Sequence, residues 1–133
     1  MDPQTFLKTI YLGDRACKAV IVDCWTNEVK VQIDCISRVR SETWNYYNAE
    51  NLDDGFIVFE GVQRVTWDPS GRLPNDTIIE FEVKPSGIPE CRYLFELTVA
   101  SGDADGLTPI TLGIFCDAVS LESHSGSEGR IRT

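Results

Sequence analysis

In five separate stretches of this 133-residue chain, apolar residues recur at every second position. That period suits extended backbone, where successive side chains point to opposite faces of a sheet. A helix would need spacings of three and four. Val20, Val22 and Cys24 alternate with Ile21 and Asp23, and Val29, Val31, Ile33 and Cys35 alternate with Lys30, Gln32 and Asp34. Ile79, Phe81 and Val83 alternate with Glu80 and Glu82. Cys91, Tyr93, Phe95, Leu97 and Val99 form the fourth run, and Ile110, Leu112, Ile114 and Cys116 the fifth.

The first two runs read as a hairpin, because polar Thr26-Asn27-Glu28 separates them. Pairing about Thr26-Asn27 sets Val22 opposite Val31, and pairing about Asn27-Glu28 sets it opposite Ile33. Both registers put the same residues on the core face. The other face of the first strand, with Cys17, Ala19, Ile21 and Trp25, is apolar too, which suggests cover from both sides, by an N-terminal helix. Residues 2–12 fit that helix, with Asp2 as N-cap, Pro3 at the first position and Gly13 just past the end.

Phe56 to Phe59 reads as a short strand, and Val62 to Trp67 as a strand or a turn of helix. Asp68-Pro69-Ser70-Gly71 marks a turn, and Gly102–Gly106 a hairpin loop. Asp117-Ala118 breaks phase before Val119 and Leu121, which suggests a bulge. Residues 37–55 show no period, a length unusual for a loop without function or structure of its own. The expectation is a mainly β (α+β) fold: a short N-terminal helix packed on a six- to seven-stranded antiparallel sandwich or strongly bent sheet. Residues 1–122 form one domain. Residues 123–133 form a flexible polar tail, too poor in apolar surface to offset its ordering entropy.

Charge is unevenly placed. Residues 41–122 hold 15 acids against 4 bases, whereas residues 1–40 hold 5 against 6. Such a field disfavours nucleic acid and anionic membranes and favours a basic partner. Cysteine is present five times with no CxxC, which suits a reducing compartment better than a disulfide framework. No apolar run has the length of a signal peptide or a membrane span, so the expected location is cytoplasmic.

Chemistry is sparse. The single histidine, His124, lies in the expected tail, far from the rigid setting that a Ser-His-Asp or Cys-His arrangement needs. The cysteine spacings fit no zinc pattern. Asp103-Ala104-Asp105-Gly106 resembles part of a calcium loop, but strand-like flanks make it a hairpin turn. No cofactor or metal is expected, and no catalytic residue is assigned. The candidate partner-binding residues are Trp44, Tyr46, Tyr47, Glu50, Asp53 and Asp54 in the Thr43–Gly55 segment, with Glu80, Glu82 and Glu96 on strand faces. Aromatic side chains supply rigid contact area, and carboxylates steer a basic partner.

Four short segments carry a resemblance: Tyr11-Leu12-Gly13-Asp14-Arg15-Ala16-Cys17-Lys18, Phe59-Glu60-Gly61-Val62, Leu73-Pro74-Asn75-Asp76 and Cys116-Asp117-Ala118-Val119. Their layout over residues 6–121 resembles a family of small uncharacterised bacterial proteins. More loosely, it is similar to immunity proteins of bacterial polymorphic toxin systems. That resemblance implies a binding role without catalytic residues. The leading expectation is therefore a non-enzymatic cytoplasmic protein-binding domain, with toxin neutralisation as its specific form. The alternatives are a homo-oligomeric structural or assembly module and a carboxylate-based hydrolase acting on a small molecule or sugar.

Overall fold

The computed structural model describes residues 1–39 and 50–133. In chain order these hold α1 (Pro3–Leu7), β1 (Ile10–Tyr11), β2 (Cys17–Asp23), β3 (Glu28–Ile33), β4 (Cys35–Arg38), β5 (Glu50–Asp53), β6 (Phe56–Glu60), β7 (Arg64–Asp68), β8 (Ile78–Pro85), β9 (Tyr93–Asp103), β10 (Gly106–Cys116), β11 (Ala118–Glu122) and β12 (Arg130–Ile131). They make three antiparallel sheets: β1-β4-β5, β7-β10-β9-β8 and β12-β11-β6-β3-β2. The chain is mainly β, as the alternation requires. There are more strands among the described residues than the six or seven expected, because β1, β4, β5 and β12 are too short to show a period.

The two larger sheets share one core. Phe59 on β6 lies edge-on to Phe95 on β9, with ring centroids 5.2 Å apart, and meets Phe81 on β8 at 6.2 Å. Val31, Ile57, Leu97, Leu112, Ile114 and Leu121 are fully buried around them. Each such side chain contributes about 1.5–3 kcal/mol on leaving water. The chain passes between these sheets at two adjacent corners. Gly61, at a φ of 66°, turns β6 toward β7. Asp117 separates β10 from β11, and its amide donates to the Glu60 carbonyl at 2.9 Å. The phase break at Asp117-Ala118 is thus a change of sheet and not a bulge.

Bulges occur elsewhere, between Cys17 and Ala19 and between Ile78 and Glu80. The second corrects the expected inward position of Ile79. One extra residue there lets Ile78 pack on the core and turns Ile79 outward, 55% exposed.

The hairpin register also differs from both expectations. Val22 lies opposite Val29 and Val20 opposite Val31. The turn is Cys24–Asn27: Asp23 Oδ1 accepts from the amides of Trp25 (3.0 Å) and Thr26 (3.1 Å), and Asn27 takes a left-handed φ of 57°. A slip of two residues keeps each side chain on its face, so Val29, Val31 and Ile33 are buried as expected. Val22 and Cys24 are not, because β2 is an edge strand whose far half lacks cover.

The expected helix over 2–12 is only α1. Asp2 caps it as expected, accepting from Thr5 N at 3.0 Å. Beyond it, β-branched Thr9 and Ile10 and aromatic Tyr11 extend: β1 pairs with Ser37 and Arg38 of β4. α1 contacts β8. It does not supply the cover expected over Ile21 and Trp25, which stay exposed.

Residues 130–132, expected within the free tail, are tied to the five-stranded sheet. β12 pairs with β11. Arg130 reaches across the strands to Glu28 on β3, to Glu122 on β11 (3.2 Å) and to Glu60 on β6 (3.4 Å). Arg132 pairs with Glu60 at 2.7 Å, and Lys30 with Glu122 at 3.0 Å. His124 stacks on Phe56 at 6.3 Å and lies 3.2 Å from the Gln32 amide nitrogen.

Candidate functional site

The expected partner-binding residues fall into three groups. Trp44, Tyr46 and Tyr47 lie outside the described residues. Glu50 and Asp53 sit at the two ends of β5, opposite Arg38 and Cys35. Asp54 follows at a left-handed φ of 54° and pairs with Lys18 at 2.6 Å. That hydrogen bond, the largest influence on the Asp54 carboxyl, holds it below its usual range. Glu80, Glu82 and Glu96 form the third group. Glu80 and Glu82 are exposed on β8, and Glu82 lies opposite Glu96 on β9. Lys84 pairs with Glu96 at 2.5 Å, and its ammonium pKa is raised by that hydrogen bond. The second and third groups occupy different sheets. Ion pairing also removes Asp54 and Glu96 from any free acidic field.

A different surface stands out at the other end of the chain's first hairpin. Trp25, at the turn, is 95% exposed. Beside it on β2, Val22 is 52% and Ile21 45% exposed, and Val65 on β7 is exposed as well. Between the hairpin tip and β7 lies a shallow hollow of about 240 Å³, lined mainly by Val22, Cys24, Val29, Val62, Arg64 and Val65. The elements that build it are fixed from below: the Val62 amide donates to the Asn27 carbonyl at 2.9 Å, and β7 pairs with β10. Charge at this place is already engaged. Asp23 closes the turn, Glu28 is held by Arg130, and the Arg64 guanidinium lies 5.9 Å from the centre of the Phe115 ring. What remains to meet a partner is mainly apolar, with Gln63 at its margin. Expecting Trp25 to lie under a helix concealed this surface. The legible signal was a tryptophan placed where turn chemistry calls for a polar residue.

A larger hollow, of about 440 Å³, brings Asp2 and Asp117 together with Arg92, Arg132, Phe6 and Tyr93. It is the place to test carboxylate chemistry. Asp2 already accepts from the Thr5 amide and hydroxyl, which lower its pKa, so it is a poor proton donor near neutrality. Asp117 accepts from the Arg92 amide at 3.1 Å. Both carboxylates serve the backbone.

Burial pushes the Cys17 thiol up to about 11 and the Cys116 thiol up to about 12, so neither is a ready nucleophile. Among the described residues no group of histidine, cysteine and carboxylate side chains is placed to hold a metal ion. None of their helices is long and apolar enough to cross a membrane. In the Asp103–Gly106 turn, Asp103 accepts from the Asp105 amide and pairs with Arg72, as a hairpin turn would use it.

The model of a family of unknown function, DUF6258, matches residues 1–133. The chain belongs to that family. No curated protein and no solved structure matches it. Membership accords with the resemblance to small uncharacterised proteins and carries no activity with it.

Proposed function

We propose that this domain is a non-enzymatic protein-binding module that meets its partner through the β2–β3 hairpin tip and β7. The observation that carries the reading is Trp25, 95% exposed on a tight turn, next in the chain to Cys24, which lines the hollow together with exposed Val22 and Val65. A large apolar ring costs little conformational entropy to bury, and such rings dominate interface energetics. The engagement of Asp2 and Asp117 by backbone donors favours binding over carboxylate hydrolysis. The five free cysteines support a reducing cytoplasm.

Neutralisation of a basic toxin is the narrower form of this reading. Its support is the net charge of −9 and the exposed Glu80 and Glu82, which would attract such a partner.

Affinity capture with three baits tests the proposal: the unaltered chain, Trp25→Ser, and Glu80→Gln with Glu82→Gln. A partner lost with Trp25→Ser, but retained through a wash at about 0.5 M salt, supports the apolar site. A partner kept by Trp25→Ser and lost by the glutamine variant would move the site to β8 and β9. Capture of nothing specific by the unaltered chain counts against the whole reading.

A further inference from the structure

We propose that the edge of β2, open among the described residues, pairs with the same edge of a second copy of this chain, antiparallel, about a two-fold axis through Ile21. This contact is separate from the surface made by Trp25 and β7 and goes beyond that reading.

The available edge is short and well bounded. At its start the Cys17 amide already donates to the Asp76 carbonyl at 3.0 Å, Ala16 bridges to Thr77, and the strand bulges between Cys17 and Ala19. At its end the turn begins at Cys24. Ala19–Asp23 is left, with Ile21 at its middle. A two-fold axis perpendicular to the sheet keeps each copy's inner face on the same side, so paired residues must share a face. Centred on Ile21, that symmetry sets Ile21 against Ile21, Val20 opposite Val22, and Ala19 opposite Asp23. The exposed residues Ile21 and Val22 are thereby covered by β-branched neighbours, a favourable cross-strand combination.

Charge agrees with this register. Bulged Lys18 precedes Ala19 and comes beside Asp23 of the other copy, for which it would exchange its exposed pair with Asp54, and the symmetry makes the contact twice. Centring on Val20 would instead set Asp23 opposite Cys17, whose amide is engaged.

The other edges are less suited: β7 is five residues long, with charged Arg64 and Asp68 at its ends. β8 carries Glu80, Glu82 and Lys84, a bulge at Ile79 and Pro85 at its end, all devices that discourage edge pairing. β12 is two residues long.

Five residues of edge bury less than a standard interface, so the dimer should be weak, with a dissociation constant on the order of 10–100 μM. Sedimentation equilibrium from about 5 μM to about 1 mM spans that range. The expected result is a monomer–dimer equilibrium that Ile21→Lys weakens at least tenfold, on the order of 1.4 kcal/mol or more, by placing two cations on the axis. Ile79→Lys and Val65→Lys should leave it unchanged. In a Cys24→Ser background, Ile21→Cys treated with diamide, which takes up the two electrons and two protons of the thiol pair, should form a covalent dimer, because directly opposed Cβ atoms lie within about 4.5–5.5 Å and approach closest at a non-hydrogen-bonded pair. A chain still monomeric at the highest concentration overturns the self-pairing, as does a dimer indifferent to Ile21→Lys or abolished by Val65→Lys. Trp25-dependent capture of another protein by such a monomer would leave the binding-module reading intact.

Discussion

At one side of the five-stranded sheet the last strand, β12, has two residues and is held by Arg130, which spans three strands to reach Glu28, Glu60 and Glu122. At the opposite side β2 has seven residues, a bulge near its start and, over its far half, bare Ile21 and Val22. The first edge is closed by charge that is itself partly buried. The second is left open and apolar. One sheet can thus be finished on one side and available on the other, and the difference lies in which side chains have partners within the chain.

Arg130→Ala should separate the two edges most sharply. It leaves three carboxylates without their shared cation at a place only about a quarter exposed, and should cost about 2 kcal/mol in urea unfolding. An unchanged unfolding midpoint would mean that β12 is not held by charge.

Acid should act on the same edge. Hydrogen bonds from Arg132 hold Glu60 below its usual range. For Glu122 burial pulls upward, but hydrogen bonds from Lys30 and Arg130 outweigh it. A carboxylate with a depressed folded-state pKa stabilises the fold above its unfolded value, about 4.3, and loses that contribution as pH falls through the folded value. Amide protection factors at Leu121, Glu122 and Ile131, corrected for the intrinsic pH dependence of exchange, should therefore fall below about pH 4.3 before those at Val20 and Ile21 change. Simultaneous loss at both edges would break the comparison.

At the open edge the effects should be small. Lys18→Ala removes an exposed pair with Asp54 and should not move the urea midpoint measurably. Smaller still, Ile21→Thr keeps a β-branched residue at an exposed strand position and should stay within about 0.5 kcal/mol of the original stability. A larger loss would show that Ile21 is covered within the monomer.

Legibility followed the same division. Long strands declared themselves, because a period of two over five or more residues is hard to mistake. Two-residue strands such as β1 and β12 have no period to show. The hairpin was found but its register missed, by two residues in one expected pairing and four in the other, since side-chain parity cannot distinguish slips of two and the turn is closed by Asp23, a residue counted with the strand. Ile79 was misplaced because a bulge leaves no mark on composition. Glu80 and Glu82 were correctly expected to face outward, while Lys84 capturing Glu96 depends on a cross-strand diagonal. Arg130 went unread because its three partners are separated from it along the chain and meet only across the finished sheet.

β6 sits at the centre of that sheet, between β3 and β11. Its second neighbour, β11, follows about 60 residues later (Phe59 pairs with Val119), so a growing polypeptide must hold Ile57, Val58 and Phe59 beside an unsatisfied edge until that stretch has been made. Pairings of such long sequence separation imply refolding in milliseconds to seconds, slower than a helical domain of this size. In the cell, the interval between synthesis of β6 and arrival of β11 is when this chain would be most prone to clump with its neighbours and most in need of a chaperone.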